Sequence, residues 1–202
     1  MDLQLAIFIN KLGAGTALDF FTKLISYHPF FVSILSALVL SALIFDKKNR
    51  KKIFIAILIA ITLHLLINEL FFKDLLGYFT DLRVRPYIAH PDLITALGTN
   101  SDASFPSNHT SLTATVLTVL TYFYRKHWPV WPLAIFFLLF MAFSRVHNGM
   151  HYPTDVLAGA VFGIIYGVIA VKVINSLQAP PISHSANPLA KSKTYHSGKF
   201  PN

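Results

Sequence analysis

The residues equipped for chemistry lie in three short polar segments set between long apolar runs. "SRVHNGMHYPTD", residues 144–155, holds Ser144, Arg145, His151 and Asp155. "DASFPSNHTS" holds Ser107, Asn108 and His109, and "LRVRPY" holds Arg83 and Arg85 beside Pro86. Pro153 suits the first turn of a helix, which puts Asp155 in that turn as well. From there its carboxylate can reach back toward His151 and fix the tautomer through a ring N–H. The far nitrogen is then left as a nucleophile or base. A tight loop can return the Arg145 guanidinium to the same imidazole, and arginine grips phosphate bidentately and stays charged at any working pH. A helix beginning near Ser107 aims free backbone N–H groups at an anion. The Ser107 hydroxyl and Asn108 lie beside that nest, His109 is placed to protonate a leaving oxygen, and Arg85 adds a cation. Taken singly, each residue has a plainer role: a hydrogen-bonding histidine, a helix-capping aspartate, arginines snorkelling to lipid phosphate. Together on one face they make a phosphoryl-transfer site that needs neither metal nor cofactor.

The elements that must position these groups are membrane helices. The 202-residue chain is 54% hydrophobic and 13% charged, with a mean hydropathy of +0.55. That is too apolar for an ordinary soluble domain and predicts an all-α, polytopic membrane bundle of five to six spans. Five stretches qualify, near 26–45, 53–73, 108–124, 129–145 and 153–175. Residues 3–24 mix apolar residues with Lys11, Asp19 and Lys23 around "GAG". They read as an amphipathic or re-entrant segment, with a sixth span as the alternative. Residues 1–176 form the embedded domain, and the polar, Pro- and Ser-containing tail 177–202 is expected to be disordered.

Net charge is +8 and there is no cysteine, so a disulfide framework and a thiolate nucleophile are both excluded. The positive charge sits in short runs between apolar segments, which argues for membrane lipids as partners and against nucleic acid. The runs are Lys47, Lys48, Arg50, Lys51 and Lys52, then Arg125 and Lys126, then the tail lysines. In a five-span arrangement all three share a side, which the positive-inside rule makes cytoplasmic, together with the C-terminus. The chemical segments then face outward, at the membrane–water interface. The first residues lack the pattern of a cleaved secretory signal, so none is expected to be removed. Nothing in the pattern speaks to oligomeric state.

The three polar segments resemble the signatures of the type 2 phosphatidic acid phosphatase superfamily, written K-x6-R-P, P-S-x-H and S-R-x5-H-x3-D. The third is matched throughout by Ser144, Arg145, His151 and Asp155, and the second by "PSNH", with Asn108 where Gly is usual. The resemblance implies that His151 attacks phosphorus to form a phosphohistidine, oriented by Asp155, and that His109 protonates the leaving oxygen and then activates water. It implies that Arg85, Arg145, Ser107 and the Asn108 backbone hold the phosphoryl oxygens, without a metal. The first signature is half matched, because Tyr78 stands where the family has Lys. Lys73 and Arg83 are the two cations that could replace it, and Arg83 is preferred. Lys73, four residues after Glu69, reads as half of a structural helical ion pair. His64, Asn68 and Glu69 in the second span are expected to bond across helices, contact with a diphosphate being the alternative. "SFPSNH" and the third signature are most similar to the bacterial undecaprenyl pyrophosphate phosphatases of this superfamily. The implied substrate is a polyprenyl or phospholipid phosphate at the outer face of the bacterial cytoplasmic membrane. Phosphatidylglycerophosphate and lipid A phosphatases fit nearly as well, and a lipid-binding or transport protein is the non-enzymatic reading.

Overall fold

A computed structural model describes residues 1–100 and 102–177, and every regular element among them is helical. These are α1 (Asp2–Lys11), α2 (Ala17–Ser26), α3 (His28–Phe45) and α4 (Arg50–His64), which continues through a π-helical stretch (Leu65–Leu75) into α5 (Leu76–Phe79). After them come α6 (Pro86–Ala89), α7 (Asn108–Tyr124), α8 (Val130–His147) and α9 (Pro153–Ser176). Four segments are long and apolar enough to cross a bilayer: His28–Phe45, Arg50–Phe79, Val130–His147 and Pro153–Ser176, with mean hydropathies of 1.7 to 2.3. The chain is an integral membrane protein. From residue 178 onward the tail lies outside the described residues.

The fifth expected span, α7, has 17 residues and buries a series of Thr and Ser side chains. It can afford this because it runs through the centre, packed against α3, α4, α8 and α9. Two of its buried hydroxyls are satisfied within the helix: Thr113 donates to the His109 carbonyl at 2.7 Å and Thr115 to that of Ser111 at 2.8 Å. A polar group in the hydrocarbon region must find such a partner. The α9 face against it carries Gly159, Gly163 and Gly167. A Cβ on Gly163 would stand 2.2 Å from the Ser111 carbonyl oxygen, and one on Gly159 2.6 Å from that of Ser107. Small residues at this spacing let two membrane helices meet backbone to backbone. That close approach draws the start of α7 against the start of α9, and with it two of the three chemical segments.

Neither helix of the N-terminal segment is long enough to span. α1 and α2 have ten residues each, about 15 Å of helix apiece at 1.5 Å per residue. They are joined by a turn that places Gly13 and Gly15 at φ of 69° and 78°. Both helices pack on α8, and α1 is pinned to the loops behind the chemical segments. Buried Asn10 donates to the carbonyls of Thr95, at 2.8 Å, and His147, at 2.7 Å. Connectivity puts the basic loops 46–49 and 125–129 at one end of the bundle. The starts of α7 and α9 and the end of α8 lie at the other.

Candidate active site

His151 lies in the short loop between α8 and α9 and is 2% exposed. Its Nδ1 is 2.7 Å from the Ser104 carbonyl oxygen. A carbonyl can only accept, so Nδ1 carries the proton and Nε2 the lone pair. Nε2 faces Arg85 Nη1 at 3.1 Å. The imidazole is pushed well below its ordinary pKa, first by burial and then by the positive charges of Arg145 and Arg85. It is therefore neutral, the state a nucleophile requires.

The expected direct contact between Asp155 and His151 is not made. Asp155 Oδ2 stays 3.9 Å from Nδ1, beyond hydrogen-bonding range. The same oxygen instead accepts from Ser104 Oγ at 2.6 Å and from the Tyr152 N–H at 2.9 Å. Asp155 Oδ1 accepts from Arg83 Nη1 at 2.6 Å. The carboxylate is turned to these donors because it sits at the head of α9, where the N–H of Tyr152 faces it.

Two arginines are buried beside His151. Arg85, 2% exposed, is fully engaged. Its Nε donates to the Asp102 carbonyl at 2.9 Å, Nη1 to the Met150 carbonyl at 2.9 Å, and Nη2 to Asp102 Oδ1 at 2.6 Å. Arg145 is the opposite case. It is 5% exposed, yet its guanidinium makes no hydrogen bond or ion pair among the described residues, and its Nε is buried without a partner. His109 Nε2 is likewise buried and has no partner among the described residues, with the ring stacked on Phe31 at 4.5 Å and edge-on to His28 at 5.8 Å.

These groups line one cavity of about 320 Å³, bounded by Lys73, Arg85, Asn108, His109, Arg145 and His151. A second, of about 380 Å³, adjoins it through His28, Asn100, His109 and Arg145 and opens past Lys23 and Tyr27. Three cations, four imidazoles and the first turn of α7 surround the first cavity, against the two carboxylates of Glu69 and Asp102, and the excess of positive groups suits an anion.

Three residues are placed otherwise than the sequence predicts. Arg83 does not reach the cavity. Its guanidinium pairs with Asp2 and Asp155, donates to Thr154 Oγ1 at 2.7 Å, and lies 3.8 Å over the Tyr152 ring. The cation that does reach it is Lys73. Its predicted helical pair with Glu69 is present at 3.8 Å, but Lys73 also pairs with Asp102 and lines the cavity. The π-helical stretch turns this face inward, a deviation commonly found at functional sites. Ser107 is fully buried, with its hydroxyl on Thr110 at 3.1 Å and its N–H on the Asp155 carbonyl at 3.1 Å, so it braces the α7–α9 junction. Asn108 stays in the cavity wall, held by Glu69. His64 and Asn68 bond across helices, to Ser111 at 3.1 Å and Tyr166 at 2.7 Å. Two residues that the sequence did not single out join the site: Ser104, and Asp102, which bridges Lys73 and Arg85. Burial works against the Asp102 charge, but those two cations outweigh it and hold the carboxyl below its usual range.

Residues 54–179, more than half of the chain, match the family described as the PAP2 superfamily. The chain belongs to the PAP2 superfamily. Among PAP2 relatives it is 42% identical over 85 residues to the undecaprenyl-diphosphatase BcrC of Bacillus subtilis (strain 168), a match covering 42% of each chain. It thus spans about two fifths of that relative's length. It is 26% identical over 185 residues to a lipid A 4'-phosphatase of Bacteroides thetaiotaomicron, covering 89% of this chain and 79% of that one. The crystal structure of Aquifex aeolicus LpxE shares the PAP2 architecture at a TM-score of 0.65 and 27% identity, over 85% of this chain and 94% of that one. The expected membrane-helix bundle and the family resemblance both agree with these findings.

Proposed function

We propose that this PAP2 protein is a membrane lipid phosphatase that works through a phosphohistidine, with undecaprenyl pyrophosphate as its substrate. One observation carries the reading: Arg145, 5% exposed and with no counterion among the described residues, beside a neutral imidazole and two further cations. A buried charge without a partner costs several kcal/mol, and a phosphate dianion is the ligand that offsets it.

In this reading His151 Nε2 attacks phosphorus in line with the leaving oxygen. A P–N bond forms as the P–O bond breaks, and His109, in its imidazolium form beside the bound phosphate anion, gives a proton to that oxygen. His109 then takes a proton from water, whose oxygen attacks phosphorus. The P–N bond breaks and inorganic phosphate leaves. Arg85, Arg145, Lys73 and the N–H groups opening α7 hold the charge that spreads over the phosphoryl oxygens.

The diphosphate substrate is favoured by the likeness to an undecaprenyl-diphosphatase. A groove of about 460 Å³ between α3 and α4, walled by Leu35, Val39, Phe54 and Leu58, supports a lipid substrate. It meets the cavity at Ile61 and Leu112. The basic loops at the far end support a site on the outer face of a bacterial cytoplasmic membrane. The lipid A 4'-phosphatase relative supports a second substrate for the same chemistry. The test is phosphate release by purified protein from undecaprenyl pyrophosphate, phosphatidylglycerophosphate and lipid A. Release favouring the diphosphate and lost in His151→Asn is expected. Preference for another lipid moves the substrate, and binding without release makes the protein a lipid-phosphate binder.

A further inference from the structure

Resting on that reading of the site, we propose that Ser104 is a positioning residue through which Asp155 sets the His151 imidazole. The carboxylate acts through the backbone and hydroxyl of residue 104 rather than by touching the ring.

Ser104 is fully buried and all three of its polar groups are engaged. Its carbonyl accepts from His151 Nδ1 at 2.7 Å, its hydroxyl donates to Asp155 Oδ2 at 2.6 Å, and its N–H donates to the Arg83 carbonyl at 2.8 Å. Arg83 closes the ring, since its guanidinium holds the other Asp155 oxygen at 2.6 Å. Asp2 backs both Arg83 and Thr154, accepting from the Thr154 N–H at 3.1 Å. The chain of contact therefore runs from Asp2 through Arg83 and Asp155 to Ser104, and only from Ser104 to the imidazole. This gives Arg83 a task that its distance from the cavity leaves open.

The consequence is chemical. A carboxylate on Nδ1 can take up the ring proton, whereas a backbone carbonyl cannot. The carbonyl can thus impose one tautomer only, with the Nε2 lone pair facing the phosphate site. What it lacks is rigidity, because residues 102–107 form an irregular segment without helix. The Ser104 hydroxyl supplies it by tying that segment to the head of α9, the helix that follows His151. Removing the hydroxyl leaves the carbonyl in the chain but lets it drift, and misplacement by about 1 Å can cost about 100-fold in rate.

The test uses the full-length protein in lipid nanodiscs with isotope-labelled histidine. His151 is assigned by difference against His151→Asn, and its tautomer is read from the ring nitrogen shifts. In the wild type, Nδ1 is expected to carry the proton. Ser104→Ala is expected to mix the tautomers and to lower kcat about 10- to 100-fold, with KM within about twofold. Asp155→Asn should do the same, and the double variant should be no worse than the poorer single, the mark of groups acting in series. Ser104→Thr, which keeps the hydroxyl, should recover most of kcat. Should Ser104→Ala fail to fold, Ser104→Cys preserves the volume with a weak donor and is expected to show the same losses. An unchanged tautomer and kcat in either hydroxyl-free variant, with both altered in Asp155→Asn, would overturn the proposal. Absence of phosphate release by the wild type refutes the phosphatase reading instead, and the tautomer comparison still decides the role of Ser104.

Discussion

Replacing Arg145 by Met should make the unliganded protein more stable while disabling it. The guanidinium is 5% exposed, has no partner among the described residues, and shares its cavity with Arg85 and Lys73. A buried donor left unsatisfied costs about 1–3 kcal/mol, and more when charged. Methionine fills a similar stem with apolar atoms, so relief of about 1–3 kcal/mol is expected. For a chain of this length each kcal/mol moves Tm by roughly 2–4 °C, so the variant should melt about 2–12 °C higher. Orthovanadate, which imitates the phosphate in flight, should stabilise the wild type by about 2.7 kcal/mol at 100 times its Kd. It should leave Arg145→Met almost unmoved. Turnover should fall about 100- to 1000-fold, the usual effect of losing one charge-stabilising donor. The assay is thermal unfolding in phosphate-free detergent buffer, followed by the fluorescence of Trp128 and Trp131, with and without vanadate. A variant that melts below the wild type yet keeps the full vanadate shift would show that Arg145 is held by groups of the protein and does not meet the ligand.

Further outcomes follow from the same geometry. Lys73→Met should weaken vanadate inhibition about 10- to 100-fold, the worth of a charge-assisted hydrogen bond, whereas Arg83→Met should lower kcat and leave inhibition within about threefold. The reverse pattern would return Arg83 to the phosphate site. Because His151 is held well below its ordinary pKa in the fold, the unfolded chain takes up this proton first as pH falls. The stability linked to it is complete above about pH 6.5 and declines below that value. Tm plotted against pH should therefore fall less steeply on the acid side in His151→Asn, and an unchanged slope would mean that the wild-type imidazole titrates normally. Gly163→Ala places a methyl 2.2 Å from the Ser111 carbonyl oxygen and should cost about 1–3 kcal/mol or more by overpacking. An unaltered Tm would mean that α7 and α9 are not in backbone contact.

The sequence by itself determined the membrane-helix bundle, because uninterrupted apolar runs near 20 residues have no other stable use. It also determined the candidate site as a set of residue types, since Arg145, His151 and Asp155 lie within twelve residues of one another and local spacing alone brings them close. The tertiary structure decided which groups touch. Lys73 and Arg83 exchanged their expected places because the first depends on a π-helical stretch with no periodic signature, and the second on Asp2, 81 residues away along the chain. Ser104 was invisible for a related reason. Its part rests on a backbone carbonyl, which every residue possesses, aimed by contacts 47 and 51 residues distant. Residue type and spacing encode what a side chain can do, whereas which partner it meets depends on the packing of α7 against α9, and that is settled only when both helices are in place.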